Sequence, residues 1–426
     1  MHVLILTYGS RGDVQPYVAL GRGLRDVGHV VTLATSTRFR SLVEDAGLRF
    51  GPLSDDMLAI LDTDQGRALV EDTTNLYQVV RRTLTMLRQV GPLQRALVQQ
   101  CWEVAAEADP DMVVFHPKAY AGPTIAERLG VPLALALAIP LMVPTSERPH
   151  MGFPDLGLGG GYNRATYGLV NGLMTLSGGK HWKRLRGQLG LPPRRLDLLR
   201  TGDGRPVPVL FGISPHVVPP AADWDDHVRT TGYWFLDGED DWTPPAGLEA
   251  FLEAGPRPVY VGFGSMAGRD PQRLGRAAVD GLVACGARGV LVTGWGGLQA
   301  GDLPDTVFRL DEAPHDWLFP RVAAVVHHGG AGTTAAGLRA GRPTVVVPFF
   351  GDQPYWGARV RALGVGPAPI PQKKLTAERL AGAVRAATTD PAITRNADAL
   401  GRKIRAEDGV AEAVAFLESL ADAARA

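Results

Sequence analysis

Cysteine is nearly absent: Cys101 and Cys285 are the only two in 426 residues, and they lie far apart. That excludes a disulfide framework and a cysteine-based structural zinc site. Charge of one sign is missing too, since 44 Lys and Arg balance 44 Asp and Glu. A protein that binds nucleic acid by neutralising phosphates over a broad basic face is therefore excluded. The six Lys against 38 Arg are read as a bias of genome composition rather than as chemistry. The longest apolar run, residues 131–144, is interrupted by Pro132 and Pro140 and is too short to span a bilayer as a helix. The first residues, Met-His-Val-Leu-Ile-Leu-Thr-Tyr, carry neither a basic leader nor a small-residue cleavage site. A soluble cytoplasmic protein is the expectation. No Gly-x-Ser-x-Gly elbow surrounds Ser265, which leaves a serine hydrolase without support.

What is present suits a folded chain of two domains: 45% hydrophobic residues, 21% charged, and 52 Gly with 33 Pro spread among short elements. Strands are expected at 3–6, 30–34, 112–115, 133–138 and 207–213, with a short segment around Tyr233. Pro16 opens a helix whose stripe is Leu20, Leu24 and Val27, and a second helix ends near Gly47. Stripes at Leu76, Val79, Leu84, Leu87 and at Leu93, Leu97, Cys101, Val104 predict two helices broken at Gly91-Pro92. Residues 140–161 read as loop, followed by a basic helical stretch to about Arg200. The same grammar restarts after a polar linker at 236–247, with strands at 259–263, 290–293, 307–310, 324–327 and 344–347. Helices fall at about 271–285, 333–340, 353–363 and 376–387. This alternation predicts α/β architecture with two doubly wound parallel sheets, ligands gathering at the strands' carboxyl ends. The expected domains are 1–235 and 248–390, with a helical segment 391–426 packing back toward the first.

The strongest local signal is the segment Ala324-Val-Val-His-His-Gly-Gly-Ala-Gly-Thr-Thr334. A buried strand runs into glycines and then a helix beginning near Thr333, a place where free amides favour a phosphate or diphosphate. It is neither a Walker loop nor Gly-x-Gly-x-x-Gly. His327 and His328, adjacent on a strand, point to opposite faces and cannot readily share a metal. One belongs to the core and the other reaches the phosphates. Asp352 and Gln353 follow another strand, where a carboxylate and an amide can hold vicinal hydroxyls, or Asp352 can simply cap a helix. In Gly9-Ser10-Arg11-Gly12-Asp13, Asp13 can serve as a general base, though its position alone favours a cap of the helix from Pro16. His116, at the end of the 112–115 strand, is a second acid/base or orienting candidate set against a structural role.

Three patterns are weaker. Asp223-Trp-Asp225 has the form of an Asp-x-Asp metal clamp without strand context. The glycines of 157–161 read as a loop. Residues 180–200 carry seven basic side chains and one acidic one, either a solvated helix face or a contact with an anionic membrane.

Gly9 to Leu24 resembles the N-terminal motif of GT-B glycosyltransferases, in the branch holding the sterol glucosyltransferases and the bacterial antibiotic glycosyltransferases. Pro314-His-Asp-Trp-Leu-Phe-Pro-Arg321, the His-His-Gly-Gly-Ala-Gly-Thr-Thr segment and Pro348-Phe-Phe-Gly-Asp-Gln-Pro-Tyr-Trp-Gly357 are especially similar to the sterol enzymes. The resemblance implies a GT-B fold: two Rossmann-like domains facing across a cleft, with a C-terminal helix returning to the first. It implies an inverting, metal-independent transfer of a hexose, glucose from UDP-glucose, to a hydroxyl of an apolar sterol-like or macrolide acceptor. Asp13 matches the proposed base, with His116 relaying a proton or orienting the acceptor. His328, Gly330, Gly332 and Thr333 match the diphosphate site, Ser265 a further phosphate contact, and Asp352 with Gln353 the sugar site. Trp295 and Ala313 fall near the nucleobase and ribose, and Ser10, Arg11 and Gly12 beside the donor. No histidine stands in the first loop, where many plant relatives have one. No cofactor beyond the nucleotide-sugar co-substrate is expected, no nucleic-acid partner, and at most weak peripheral membrane contact. A dTDP-deoxysugar transferase, a sugar-nucleotide epimerase and a non-catalytic helper remain as alternatives.

Overall fold

The computed structural model of the protein describes residues 1–61, 76–238, 242–264, 270–294 and 303–425. It divides into two compact units, one of Met1–Leu236 with Asp408–Ala426 and one of Asp237–Glu407. Part of the expected linker, residues 239–241, lies outside the described residues.

The first unit holds seven parallel strands: β1 (His2–Leu6), β2 (Val30–Ser36), β3 (Arg49–Leu53), β4 (Met112–Phe115), β5 (Leu133–Leu137), β6 (Val209–Phe211) and β7 (Val228–Thr230). Their order is β3-β2-β1-β4-β5-β6-β7, so the chain reverses direction across the sheet between β1 and β4. Every residue of β1 from Val3 to Leu6 is fully buried, as expected for a strand covered on both faces. Its helices are α1 (Arg11–Asp26), α2 (Arg40–Asp45), α3 (Asp56–Leu61), α4 (Leu76–Ala108), α5 (Gly122–Leu129) and α6 (Gly159–Gln188).

The second unit has β8 (Val259–Gly262), β9 (Gly289–Val292), β10 (Val307–Leu310), β11 (Ala324–His327) and β12 (Thr344–Val346), in the parallel order β10-β9-β8-β11-β12. Here the reversal falls between β8 and β11. Its helices are α7 (Leu248–Glu253), α8 (Pro271–Ala284), α9 (His315–Leu318), α10 (Ala331–Arg339), α11 (Gln353–Ala362), α12 (Ala377–Thr389) and α13 (Pro391–Arg405). One sheet face packs against Leu274, Ala278, Leu282, Leu380 and Val384, the other against Leu318, Phe319 and Val322.

Several expectations are corrected. Helix α1 starts at Arg11, not at Pro16, because Ser10 occupies the cap position. Pro16 forfeits only the bond to the Gly12 carbonyl, on exposed backbone. Gly91-Pro92 does not split α4, which runs through both residues as one helix. Helix α6 begins at Gly159 and stops at Gln188, well short of Arg200. Gly190, at φ 71°, ends it, and Pro192-Pro193 prevent its resumption. No strand forms at Tyr233; the edge strand is β7, slightly earlier. Strand β3 was not anticipated, because Pro52 reads as a strand breaker, but an edge position tolerates proline. The 391–426 segment is two helices with different allegiances. Helix α13 packs on α10 and α12 in the second unit, whereas α14 (Gly409–Arg425) packs on α1 in the first. Ala413, Val414, Leu417 and Ala421 of α14 complete a core with Val14, Tyr17 and Leu24.

Candidate active site

In the first unit, the loops after β1 and β4 meet where the sheet changes direction, the place where open parallel sheets hold ligands. The start of α1, just past the β1 loop, supplies Asp13, and the segment after β4 supplies His116 and Lys118. Gly9 adopts φ 145°, and a Cβ there would fall on the Asp13 carboxyl, so only glycine lets the loop close over that side chain. Ser10 caps α1, and its amide donates to Asp13 Oδ2 at 2.8 Å while its hydroxyl donates to the same oxygen at 3.0 Å. The other oxygen, Oδ1, accepts from Lys118 Nζ at 2.8 Å and lies 3.7 Å from His116 Nε2. Asp13 thus reaches back to the cap residue as the third residue of its helix and also presents a carboxylate at the sheet's carboxyl edge.

The electrostatics follow from these partners. Burial pushes the Asp13 carboxyl up, but the Lys118 ammonium, His116 and the Ser10 amide outweigh it and hold it below its usual value. His116 is pushed down to about 4, first by burial and then by Lys118, against the opposing pull of Asp13. It is neutral at neutral pH. Its Nδ1 accepts from the Lys118 amide at 3.2 Å, so the ring proton sits on Nε2, facing Asp13. Tyr17 meets the imidazole edge-on with centroids 5.7 Å apart, and donates its hydroxyl to the Ala136 carbonyl at 2.6 Å. The imidazole is therefore held from two sides. Ser10 ends at Asp13, while Arg11 and Gly12 form the exposed first turn of α1, with Arg11 Nε 3.1 Å from Gln15 Oε1.

In the second unit, β11 leads into His327, fully buried, whose Nδ1 accepts from the Gly329 amide at 2.9 Å. Gly329 needs its φ of 92°, since a Cβ would strike Val346 and the Gln353 carbonyl. The rings of His327 and His328 stand edge to face at 89°, their centroids 6.2 Å apart. His328 lies against Gly264, after β8, and against Gly330, the cap of α10. Its Nδ1 is buried without a hydrogen-bond partner among the described residues, and burial pushes the ring down to about 4. Helix α10 begins at Ala331, two residues before the expected Thr333, so the amides of Ala331, Gly332 and Thr333 form its open first turn. These features sit between β8 and β11, the reversal point of this sheet.

After β12, Gln353 turns its Oε1 back to the amides of Phe349 and Phe350, at 2.7 and 3.2 Å, which fixes the loop and leaves its amide nitrogen as donor. Asp352 sits at the cap position of α11 without capping it. Its Oδ2 accepts instead from Trp356 Nε1 at 2.8 Å, which orients the carboxylate. Ala313 is partly buried in the chain following β10. Ser265 and Trp295 lie outside the described residues.

Asp223 is an anchor rather than half of a metal clamp. It accepts from Thr145 Oγ1 at 2.6 Å, the Ser146 amide at 2.8 Å, Ser146 Oγ at 2.9 Å and Arg164 at 2.9 Å. The Thr145 hydroxyl is the first of the bonds that hold its carboxyl far below the usual range. The glycines at 159–161 open α6 rather than forming a loop. A cavity of about 680 Å³ in the first unit is lined by Met142, Met174, Leu196 and Trp224, among others, and its lining includes neither Asp13 nor His116.

Residues 3–143 match the glycosyltransferase family 28 N-terminal domain, and residues 292–420 match the erythromycin biosynthesis protein CIII-like C-terminal domain. A sterol 3-beta-glucosyltransferase of Arabidopsis thaliana is 38% identical over 430 residues, covering 99% of this chain and 66% of its own. A sterol 3-beta-glucosyltransferase of Saccharomyces cerevisiae is 37% identical, covering 99% of this chain and 35% of its own. The crystal structure of the kitacinnamycin glycotransferase superposes with a TM-score of 0.71 at 23% identity, covering 98% of each chain. The chain belongs to the GT-B glycosyltransferases, in the branch of the sterol and antibiotic enzymes. This glycosyltransferase chain spans about two thirds of the plant relative and about a third of the yeast one. Among its described residues no helix is long and apolar enough to cross a membrane.

Lys118 is the residue of the first unit's candidate site that sequence reasoning missed. Its one signal was its place, two residues past His116 in His-Pro-Lys at the carboxyl end of a buried strand.

Proposed function

We propose that the protein transfers a hexose, glucose from UDP-glucose, to a hydroxyl of an apolar, sterol-like acceptor with inversion at the anomeric carbon. The observation that carries the donor half of this reading is His328, a buried imidazole whose Nδ1 has no partner among the described residues, beside the open first turn of α10. A neutral imidazole N–H and the amides of Gly332 and Thr333 suit a diphosphate, and the helix dipole favours the charge that grows as it leaves. Asp352 and the Gln353 amide accept from and donate to the sugar hydroxyls. In this reading Ala313 serves the nucleoside, and Ser10, Arg11 and Gly12 are further candidates for donor contact.

Asp13 is the base of this proposal. The acceptor oxygen attacks the anomeric carbon and its proton passes to the Asp13 carboxylate. The bond from that carbon to the diphosphate oxygen breaks, and the nucleoside diphosphate leaves with its electron pair. His116 acts through Asp13, as a positioning residue, because its Nδ1 is engaged by the Lys118 amide and its proton faces the carboxylate. The diphosphate's charge is met here by amides and an imidazole, so this scheme calls on no metal.

The test is nucleoside diphosphate release from UDP-glucose by purified protein with a panel of sterols and macrolides, products read by mass. Acceptor-dependent release with a hexose added to the acceptor is the expected result. In the same assay Asp13→Asn should lose on the order of 10²-fold or more in turnover. Near-full turnover would remove Asp13 from the role. Turnover with dTDP-sugars alone would move the donor, and release without any acceptor would favour epimerase-type chemistry.

A further inference from the structure

Helix α6 leaves one face to solvent, and that face changes character along its length. Leu169, Leu173 and Leu176 are 53%, 58% and 80% exposed. Lys180, Lys183 and Arg184 continue the same stripe and are exposed as well. At about 100° per residue, all six fall within roughly a third of the helix circumference. Leucines are normally found singly on a surface, whereas three in register, with Leu156 and Leu158 also exposed just before the helix, form a continuous apolar ridge.

The cations are unspent. Among the described residues none of Lys180, Lys183 or Arg184 forms an ion pair with a carboxylate, while Arg186 of the same helix is buried and bound to Glu127 at 2.6 Å. A hollow of about 220 Å³ between α4 and α6 gathers Arg95, His181 and Arg184 with Gln99, with no carboxylate among its described lining residues. The His181 ring is pushed down by burial and then by Lys180, Arg95 and Arg184, as expected where cations crowd one place.

We propose that this face docks the protein on an anionic phospholipid bilayer. The leucine ridge enters the acyl boundary, and the basic end meets the lipid phosphates, with the Arg95–His181–Arg184 hollow taking a headgroup. An apolar ridge continued by cations matches the two layers that a bilayer surface presents. A protein partner would need a matching acidic and apolar face, whereas a bilayer supplies both everywhere.

The test is sedimentation of the full chain with vesicles of phosphatidylcholine alone or with about one quarter phosphatidylglycerol, at low and high salt. Binding to the anionic vesicles, weakened by salt, is expected. Leu169→Ser/Leu173→Ser/Leu176→Ser and Lys180→Glu/Lys183→Glu/Arg184→Glu should each lower the partition coefficient by about tenfold or more. Lys373→Glu/Lys374→Glu, a charge change in the second unit, should leave it unchanged. Circular dichroism and the melting temperature check that each variant is folded. No binding to anionic vesicles, or binding indifferent to both α6 variants, overturns the proposal. So does a leucine variant whose only effect is on the oligomeric state. The readout is lipid attachment and not turnover, so its failure is distinct from failure of the transferase reading.

Discussion

Lys118 sets the basicity that Asp13 brings to the proposed reaction. A carboxylate held 2.8 Å from an ammonium stays ionised to a lower pH than a free one, at the expense of basicity. Lys118→Met removes the first of the charges that pull the carboxyl down, so its titration moves up. The acidic limb of the pH profile of kcat/KM should then shift to higher pH, activity disappearing earlier as the medium is acidified. Steady-state rates across pH measure this, and an unmoved limb would separate Lys118 from the ionisation of Asp13. The residue types at the first site were legible because a short loop after a buried strand exposes whatever it carries. The pairing was not. Lys118 is 105 positions from Asp13, and only the adjacency of β1 and β4 brings them together. The anchoring role of Asp223 was not legible for the same reason: its partners Thr145, Ser146 and Arg164 are distant in sequence.

At the scale of elements, α6 is held by an ion pair that the sequence does not announce. The Arg186 guanidinium, 1% exposed, forks onto Glu127 of α5 at 2.6 and 2.9 Å, donates to the Pro192 carbonyl and lies over the Trp182 ring. Glu127→Ala would leave that guanidinium buried without its carboxylate, a loss of about 3 kcal/mol or more. Chemical denaturation should show it as a lower midpoint at unchanged slope, and an unchanged midpoint would mean that solvent reaches Arg186. Strands of the second unit were readable nearly residue for residue, because Val259–Gly262 and Ala324–His327 are almost wholly apolar and Val307–Leu310 carries one charge, Arg309. Helices were harder where proline intervened. Pro16 and Pro92 both lie inside helices, since one lost bond is small beside the burial of the remaining turns.

For the whole molecule, the decisive feature is that the first unit is discontinuous. Its core is closed by α14, whose Leu417 and Ala413 are fully buried, and Trp234 donates its indole N–H to the Gly409 carbonyl at 3.1 Å. Removal of residues 408–426 should abolish the cooperative transition of the first unit and leave that of 237–407. Calorimetry with hydrogen exchange would resolve the two, and two intact transitions in the shortened chain would show that α14 is dispensable. The length of the chain and its repeated strand-helix grammar announced two units, but not that α13 and α14, adjacent in sequence, serve different ones.

That discontinuity also sets an order of events during synthesis. A ribosome finishes the contiguous 237–407 stretch before it makes the helix that closes the first core. The earlier-made strands therefore wait with Leu24, Tyr17 and Val14 uncovered while their younger neighbour completes itself. The second unit can therefore complete its fold before the first, whose apolar face stays open until residues 408–426 emerge.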